Sequence, residues 1–318
     1  MELDFNGFAQ EICRLVPDHL PIKYRGSRIR IEEKRKNNDL VLHGIAILPE
    51  GMSAIPLIYL ENYYGRYINE GRDPDDLAQD IVDLFCKHMP EVADIKIPDL
   101  SFRSVKDLLR VRLINSRSNP ELLSELVSRP VGCGFSLTAY IDLPSGSGVS
   151  GMIQVTRELA AKNGYDETLV INNAVWNSSV RDPARLTDIT EMLYGNEDSD
   201  LLKEGTITDR SHPLVLSNKS GELGAAALFY PGMMKKISEI TGGDYYVLPS
   251  SVHELIILPD SSELDSGRLM ETVLKVNRFM LGIEEKLCDR VFLYRSDIDR
   301  LIVAEDMEKD RDQDMERA

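Results

Sequence analysis

A chain of 318 residues, 42% apolar and 28% charged, has the composition of a soluble globular protein with room for one large domain or two ordinary ones. No apolar run approaches the roughly 18 residues that a membrane span requires, so no membrane partner is expected. A formal charge of −16 argues against general nucleic-acid binding, which needs clustered Lys and Arg to neutralise phosphates.

The start, MELDFNGFAQEICRLVP, is acidic and lacks a cationic stretch before an apolar one. It does not read as a secretory signal, and the cytoplasm is the expected compartment. Leu3, Phe8, Ile12 and Leu15 recur at helical spacing and predict a helix over 3–16 that Pro17 closes. Arg28-Ile29-Arg30-Ile31 alternates with period two, as a strand does. Lys36-Asn37-Asn38-Asp39 has turn chemistry, and Leu40 to Leu48 returns as a second strand, predicting a hairpin. Asp73-Pro74-Asp75-Asp76 begins a helix with a capping acid, Pro in the first turn and further acid near the positive dipole end. Residues 90–100 are broken by prolines and show no period, which marks a boundary.

Arg110 to Ile114 reads as a strand, and Asn119-Pro120-Glu121 opens another helix. Phe135 to Leu143 and Gly151 to Thr156 read as strands around the turn PSGSG. Asp166 to Trp176 reads as a helix with Leu169, Asn173 and Trp176 along one side, and 195–212 reads as a polar loop. Leu214 to Leu216 is a predicted strand, and Gly224 onward a predicted helical stretch. Pro231 to Ile240 is a predicted helix stopped by Gly242-Gly243 in a left-handed cap. Strands follow at 245–248 and 255–258, then a helix over 267–281 with Leu269, Val273, Val276 and Met280 inward, then strands at 291–294 and 301–303. The chain therefore reads as α+β, with mainly antiparallel sheets and packed helices. The C-terminal order β-α-β-β-α-β is the split arrangement of ferredoxin-like sandwiches. The expected organisation is an N-terminal segment with a β-hairpin (1–98), a middle segment (99–212), the βαββαβ segment (213–304) and a disordered acidic tail (305–318).

The polar run Ser250-Ser251-Val252-His253-Glu254 sits between two predicted strands and groups a hydroxyl, an imidazole and a carboxylate. In extended chain Ser251 and His253 face the same side. A serine hydrolase also needs an orienting group and oxyanion donors, and there is no G-x-S-x-G elbow. The plainer reading is that Ser250 and Ser251 satisfy backbone groups where the strands part. His253-Glu254 begins an HExxH pattern, but Ile257 stands where the second His belongs, so no zinc site is expected there. His19, His43, His88 and His212 have no partner at ligand spacing.

Gly146 to Gly151 matches G-x-G-x-x-G. However, Pro144 and Ser145 precede the glycines and a strand-like run follows them, so a hairpin is favoured over a nucleotide site. Lys219-Ser220 lacks the preceding Gly of a phosphate loop. Cys13, Cys86, Cys133 and Cys288 lie far apart without CxxC spacing and read as reduced, mostly buried thiols rather than zinc ligands or disulfides. The basic stretch 23–36, with Arg28, Arg30, Lys34 and Arg35, is a solvated strand face that can also meet an acidic partner.

The blocks FRSVKDLLRVRLINSRS (102–118), GAAALFYPGM (224–233) and YVLPSSVHELIILP (246–259) resemble an uncharacterised domain-of-unknown-function family of gut-type bacteria. The resemblance covers most of 25–295 and implies a bacterial cytoplasmic protein without assigned catalytic residues. It also supports the strand pair around 135–155. The leading functional reading is a non-catalytic binding or interaction protein with an unidentified protein or small-molecule partner and no cofactor. The rival is a serine hydrolase using Ser251 or Ser250 with His253, and the weakest alternative is nucleotide binding at Gly146–Gly151.

Overall fold

A computed structural model of the chain describes residues 2–52, 55–93, 95, 97–143, 151–194, 199–205, 212–260 and 266–304. The chain divides into two units: Met1–Leu100 with Asp142–Ile153, and Ser101–Ile141 with Gln154–Ala318. The PSGSG turn and the acidic tail lie outside the described residues.

In the first unit, Asp4 accepts the Gly7 N–H at 2.8 Å and so caps α1 (Phe5–His19). Pro17 does not close this helix but lies inside it. The last turn is held from outside, because the His19 ring bonds Asp75 at 2.8 Å and Gln79 at 2.9 Å. The predicted hairpin is present as β1 (Arg28–Arg35) and β2 (Val41–Leu48), in register from Arg28 opposite Leu48 to Arg35 opposite Val41. Its turn places Asn38 and Asp39 at positive φ, which short polar residues tolerate. β3 (Leu57–Tyr59) joins β2, and α2 (Glu61–Glu70) and α3 (Pro74–Ala93) follow. The core of this unit gathers Phe8, Ile12 and Val16 of α1, Ile45 and Ile47 of β2, and Leu77, Ile81 and Phe85 of α3. These positions repeat at three or four residues in the helices and at two in the strand, as one buried face requires.

In the second unit, a single turn, α4 (Phe102–Val105), precedes β4 (Leu109–Asn115), α5 (Pro120–Glu125), β5 (Ser128–Gly132) and β6 (Phe135–Leu143). These strands form a sheet in the order β4-β6-β5, and β7 (Gly151–Gln154) also pairs with β6, so the strand pair around 135–155 is present. The division between units runs through β6 and β7. Next come α6 (Arg157–Asn163), α7 (Glu167–Arg181), β8 (Ala184–Asp188), α8 (Ile189–Leu193) and α9 (Leu201–Glu204). Then follow β9 (Leu214–Asn218), a 3-10 turn (Gly224–Phe229), α10 (Met233–Thr241), β10 (Tyr245–Pro249), β11 (Leu255–Pro259), α11 (Ser266–Phe279), β12 (Phe292–Arg295) and β13 (Arg300–Val303). Gly242 caps α10 in the left-handed conformation, as its sequence predicts.

The class is α+β with antiparallel sheets. The β-α-β-β-α-β order is also present, but the strand order differs from a ferredoxin-like sandwich. There the first strand sits beside the fourth, whereas the order here is β13-β12-β10-β11-β9-β8, so β12 adds to β10 and not to β9. β8, from within 99–212, adds to the outside of β9 in the same sheet. One reason sequence reading missed β8 is that ARLTD contains only two apolar residues. Part of the expected loop 195–212 is α9, capped by Asp200.

α11 packs on this sheet through Leu269, Met270 and Val273, against Leu248 and Leu293. Met280 does not face inward but is 76% exposed beyond the helix end. Buried Asn277 instead ties the helix down, donating to the Cys288 carbonyl at 2.9 Å and to Asp289 at 2.7 Å. α7 covers the free edge of β4: Ser178 Oγ accepts the Val111 N–H at 3.0 Å, and Asn177 donates to the carbonyls of Lys106 and Leu109.

Candidate functional site

Pro249 pairs with Leu255, so Ser250 to Glu254 form the connection between β10 and β11. Several polar groups in that turn bond nearby protein atoms. The Ser251 N–H donates to the Glu254 carbonyl at 3.1 Å, and Ser251 Oγ accepts the His253 N–H at 3.0 Å. This is a serine turn of the kind that competes with regular structure. Ser250 Oγ donates to Glu254 Oε1 at 3.3 Å. The Val252 N–H reaches the Glu285 carbonyl at 2.8 Å, and the Val252 carbonyl accepts the Ala225 N–H at 3.2 Å. Ser251 is buried.

His253 is joined to a second loop. Its carbonyl accepts Ser217 Oγ at 2.8 Å, and its Nδ1 accepts the Leu223 N–H at 3.2 Å. The Glu222 carboxylate stands 3.8 Å from the same Nδ1 and would need a proton there. The shorter bond needs a lone pair at Nδ1, so the neutral ring with its proton on Nε2 fits this site. The structure thus brings Ser251 to the backbone of His253, and Ser250 to Glu254. Among the described residues no hydroxyl bonds the imidazole.

Gly224 lets the two loops meet. A Cβ at this position would lie 2.6 Å from both the Asn218 nitrogen and the His253 carbonyl oxygen. Ala225, Ala226 and Ala227 follow it, all buried. The sequence blocks around 224–233 and 246–259 are therefore one structural feature, not two.

The loop from Lys219 to Leu223 has the look of a phosphate cradle but not its chemistry. A cradle needs free backbone donors. Here the Lys219 N–H donates to the Pro183 carbonyl, Ser220 to Asp182, Gly221 to the Asn218 carbonyl, Glu222 to Ser220 Oγ and Leu223 to His253. Every backbone donor of the loop is already occupied.

Side chains nevertheless converge next to it. A groove of about 360 Å³ is lined by Arg185 and Thr187 of β8, Ser217 of β9, Lys219 and Ser220 of the loop, and Glu254 of the turn. Arg185 Nε donates to the Ser199 carbonyl at 3.2 Å, which fixes the guanidinium stem. Asp182 is engaged by Ser220 at 2.7 Å. Neither Arg185 nor Lys219 has a carboxylate partner among the described residues. Sequence reading did not find this pair, because β8 was not anticipated and no local pattern links positions 185 and 219.

The basic hairpin is partly neutralised from within. Arg30 and Lys34 both pair with Glu32, at 2.5 and 3.0 Å, and the Lys34 bond is the largest cause holding that carboxyl below its usual range. Arg28 is exposed and Arg35 half-buried, both on β1, an edge strand of its sheet. The remaining histidines each sit beside a carboxylate, as with His43 and Glu61 at 3.0 Å. Among the described residues no group of three or more His, Cys, Asp or Glu could hold a metal ion. All four cysteines are free, yet only Cys288 is buried, the other three being half-buried, and burial pushes the Cys288 thiol up to about 12. Gly151 begins a strand, while the preceding glycines, Gly146 and Gly148, lie outside the described residues. No described helix is long and apolar enough to cross a membrane.

No curated protein and no solved structure matches the chain. A family model matches residues 5–296, and the chain belongs to that family, DUF5688, a family of unknown function.

Proposed function

We propose that this chain is a non-catalytic binding protein and that the groove beside β8 and β9 receives a small anionic ligand. One observation carries the reading: Arg185 and Lys219 line one groove with a single acidic residue, Glu254, and neither has a carboxylate partner among the described residues, in a chain of net charge −16. Such a local positive field in an acidic protein favours an anion. Thr187, Ser217 and Ser220 line the same space, with their hydroxyl protons already donated to the Ser199 carbonyl, the His253 carbonyl and Asp182, so the two cations carry the attraction for the ligand. The non-catalytic half rests on the 250–254 turn, where Ser251 Oγ serves the His253 backbone and His253 Nδ1 serves Leu223. The free thiols fit a reducing compartment, which we take to be the bacterial cytoplasm.

Titration of the ¹⁵N-labelled protein with inorganic phosphate and with succinate tests the groove. Saturable shifts are expected at Ser217 to Gly221, and they should vanish in the Arg185→Glu, Lys219→Glu double variant. Silence at those amides with both probes, or shifts that survive the charge reversal, would refute the site. A fluorophosphonate probe tests the other half, with no labelling expected. Modification of Ser250 or Ser251 that is lost in His253→Ala would put the hydrolase reading in its place.

A further inference from the structure

The sheet β4-β6-β5 carries an unbalanced charge that the groove does not explain. Register places Arg112 of β4 opposite Thr138 of β6, and Thr138 opposite Ser128 of β5. Paired residues share a face, so a guanidinium and two hydroxyls form one row across three strands. Thr138 is 2% exposed. Arg112 keeps some surface open, but its Nη2 is sealed from solvent and has no acceptor among the described residues. Its neighbour Arg110 is different, since its Nη1 donates to the carbonyls of Asp107 and Leu109. Burial pushes the Arg112 guanidinium below its usual range, with the Tyr140 phenol opposing. Arginine does not give up its proton in proteins, so the charge persists. A sealed, charged donor without an acceptor is costly, and native structures provide a partner for such a group.

We infer that Arg112 holds the carboxylate of a small organic acid, with the Thr138 and Ser128 hydroxyls completing its hydrogen bonds. One guanidinium balances one negative charge, so a monocarboxylate leaves the row neutral while a phosphate dianion would leave it negative. The planar donor fork also matches a planar carboxylate. This site stands apart from the groove and does not depend on it.

Thermal unfolding of the full chain tests it, in the Arg185→Glu background so that groove binding does not contribute. Acetate, butyrate and benzoate are compared with chloride and phosphate at one ionic strength. At least one carboxylate should raise Tm saturably, because a ligand of the folded state stabilises it by mass action. Chloride and phosphate should not. Arg112→Met should abolish the rise and, without any carboxylate, should melt above the parent because the unpaired charge is gone. Three results would overturn the inference: no rise with any of the acids, a rise that survives Arg112→Met, or an acid-free Arg112→Met that melts below the parent. A phosphate rise equal to that of the acids would also overturn it, as a general anion effect. Should Arg112→Met fail to fold, Thr138→Val replaces it: the acid-dependent rise should shrink, and an unchanged rise would count against the site.

Discussion

A single missing methyl group holds two loops of this protein together. Gly224 touches the backbone of both Asn218 and His253, and only a residue without Cβ can approach so closely. Gly224→Ala should lower stability by about 2 kcal/mol, within the usual range for forcing extra volume into a packed site. Urea unfolding measures this, and a change within a few tenths of a kcal/mol would show that the loops do not meet as described. The 250–254 turn gives the complementary lesson. Two-residue spacing puts Ser251 and His253 on one side only where the chain is extended. Here the chain turns, and the hydroxyl finds the nearest backbone N–H rather than the ring. The residue types were legible in the sequence, but their bonding was not, because the rule applied there belongs to a conformation the segment does not adopt.

Single elements were read well where capping and periodicity agree and less well where a helix has two unequal faces. α7 begins where expected, with Asp166 accepting the Leu169 N–H at 2.8 Å. The side carrying Leu169, Asn173 and Trp176 is not its buried side. Leu169 is 50% exposed and Trp176 63%, while Val170, Ile171, Ala174 and Ser178 face inward. Asn177 and Ser178 serve the edge of β4, so polar residues occupy positions that periodicity alone assigns to solvent. Trp176 is the only tryptophan, which makes the point measurable. Its native emission should already be that of a water-exposed indole and should move little in wavelength on unfolding. A blue-shifted native spectrum would mean that this face is covered in solution. The sheet teaches the same distinction. Each of β9 to β12 is visible as an apolar run, but the choice of β10 rather than β9 as the neighbour of β12 is a pairing between distant segments.

At the scale of the molecule, the chain divides into two units, the first of which is discontinuous. The main hydrophobic cluster of that first unit nevertheless lies wholly between Phe8 and Met89. A fragment of residues 1–100 should therefore fold alone and unfold cooperatively, as small domains with their own core do. Circular dichroism during heating checks this, and a fragment that melts without a transition and binds ANS would show that 142–153 is required. The sequence alone determined the 28–48 hairpin, the start of α3 and the left-handed stop of α10, because those depend on residues within a few positions of one another. Asp73-Pro74, Asn37-Asn38 and Gly242 acted locally and were legible for that reason. The tertiary structure alone decided which strands became neighbours, that Arg185 and Lys219 share a groove with Glu254, and that the Arg112 Nη2 is sealed without an acceptor among the described residues. Those outcomes depend on burial and on contacts between segments far apart in the chain, and no short-range pattern encodes them.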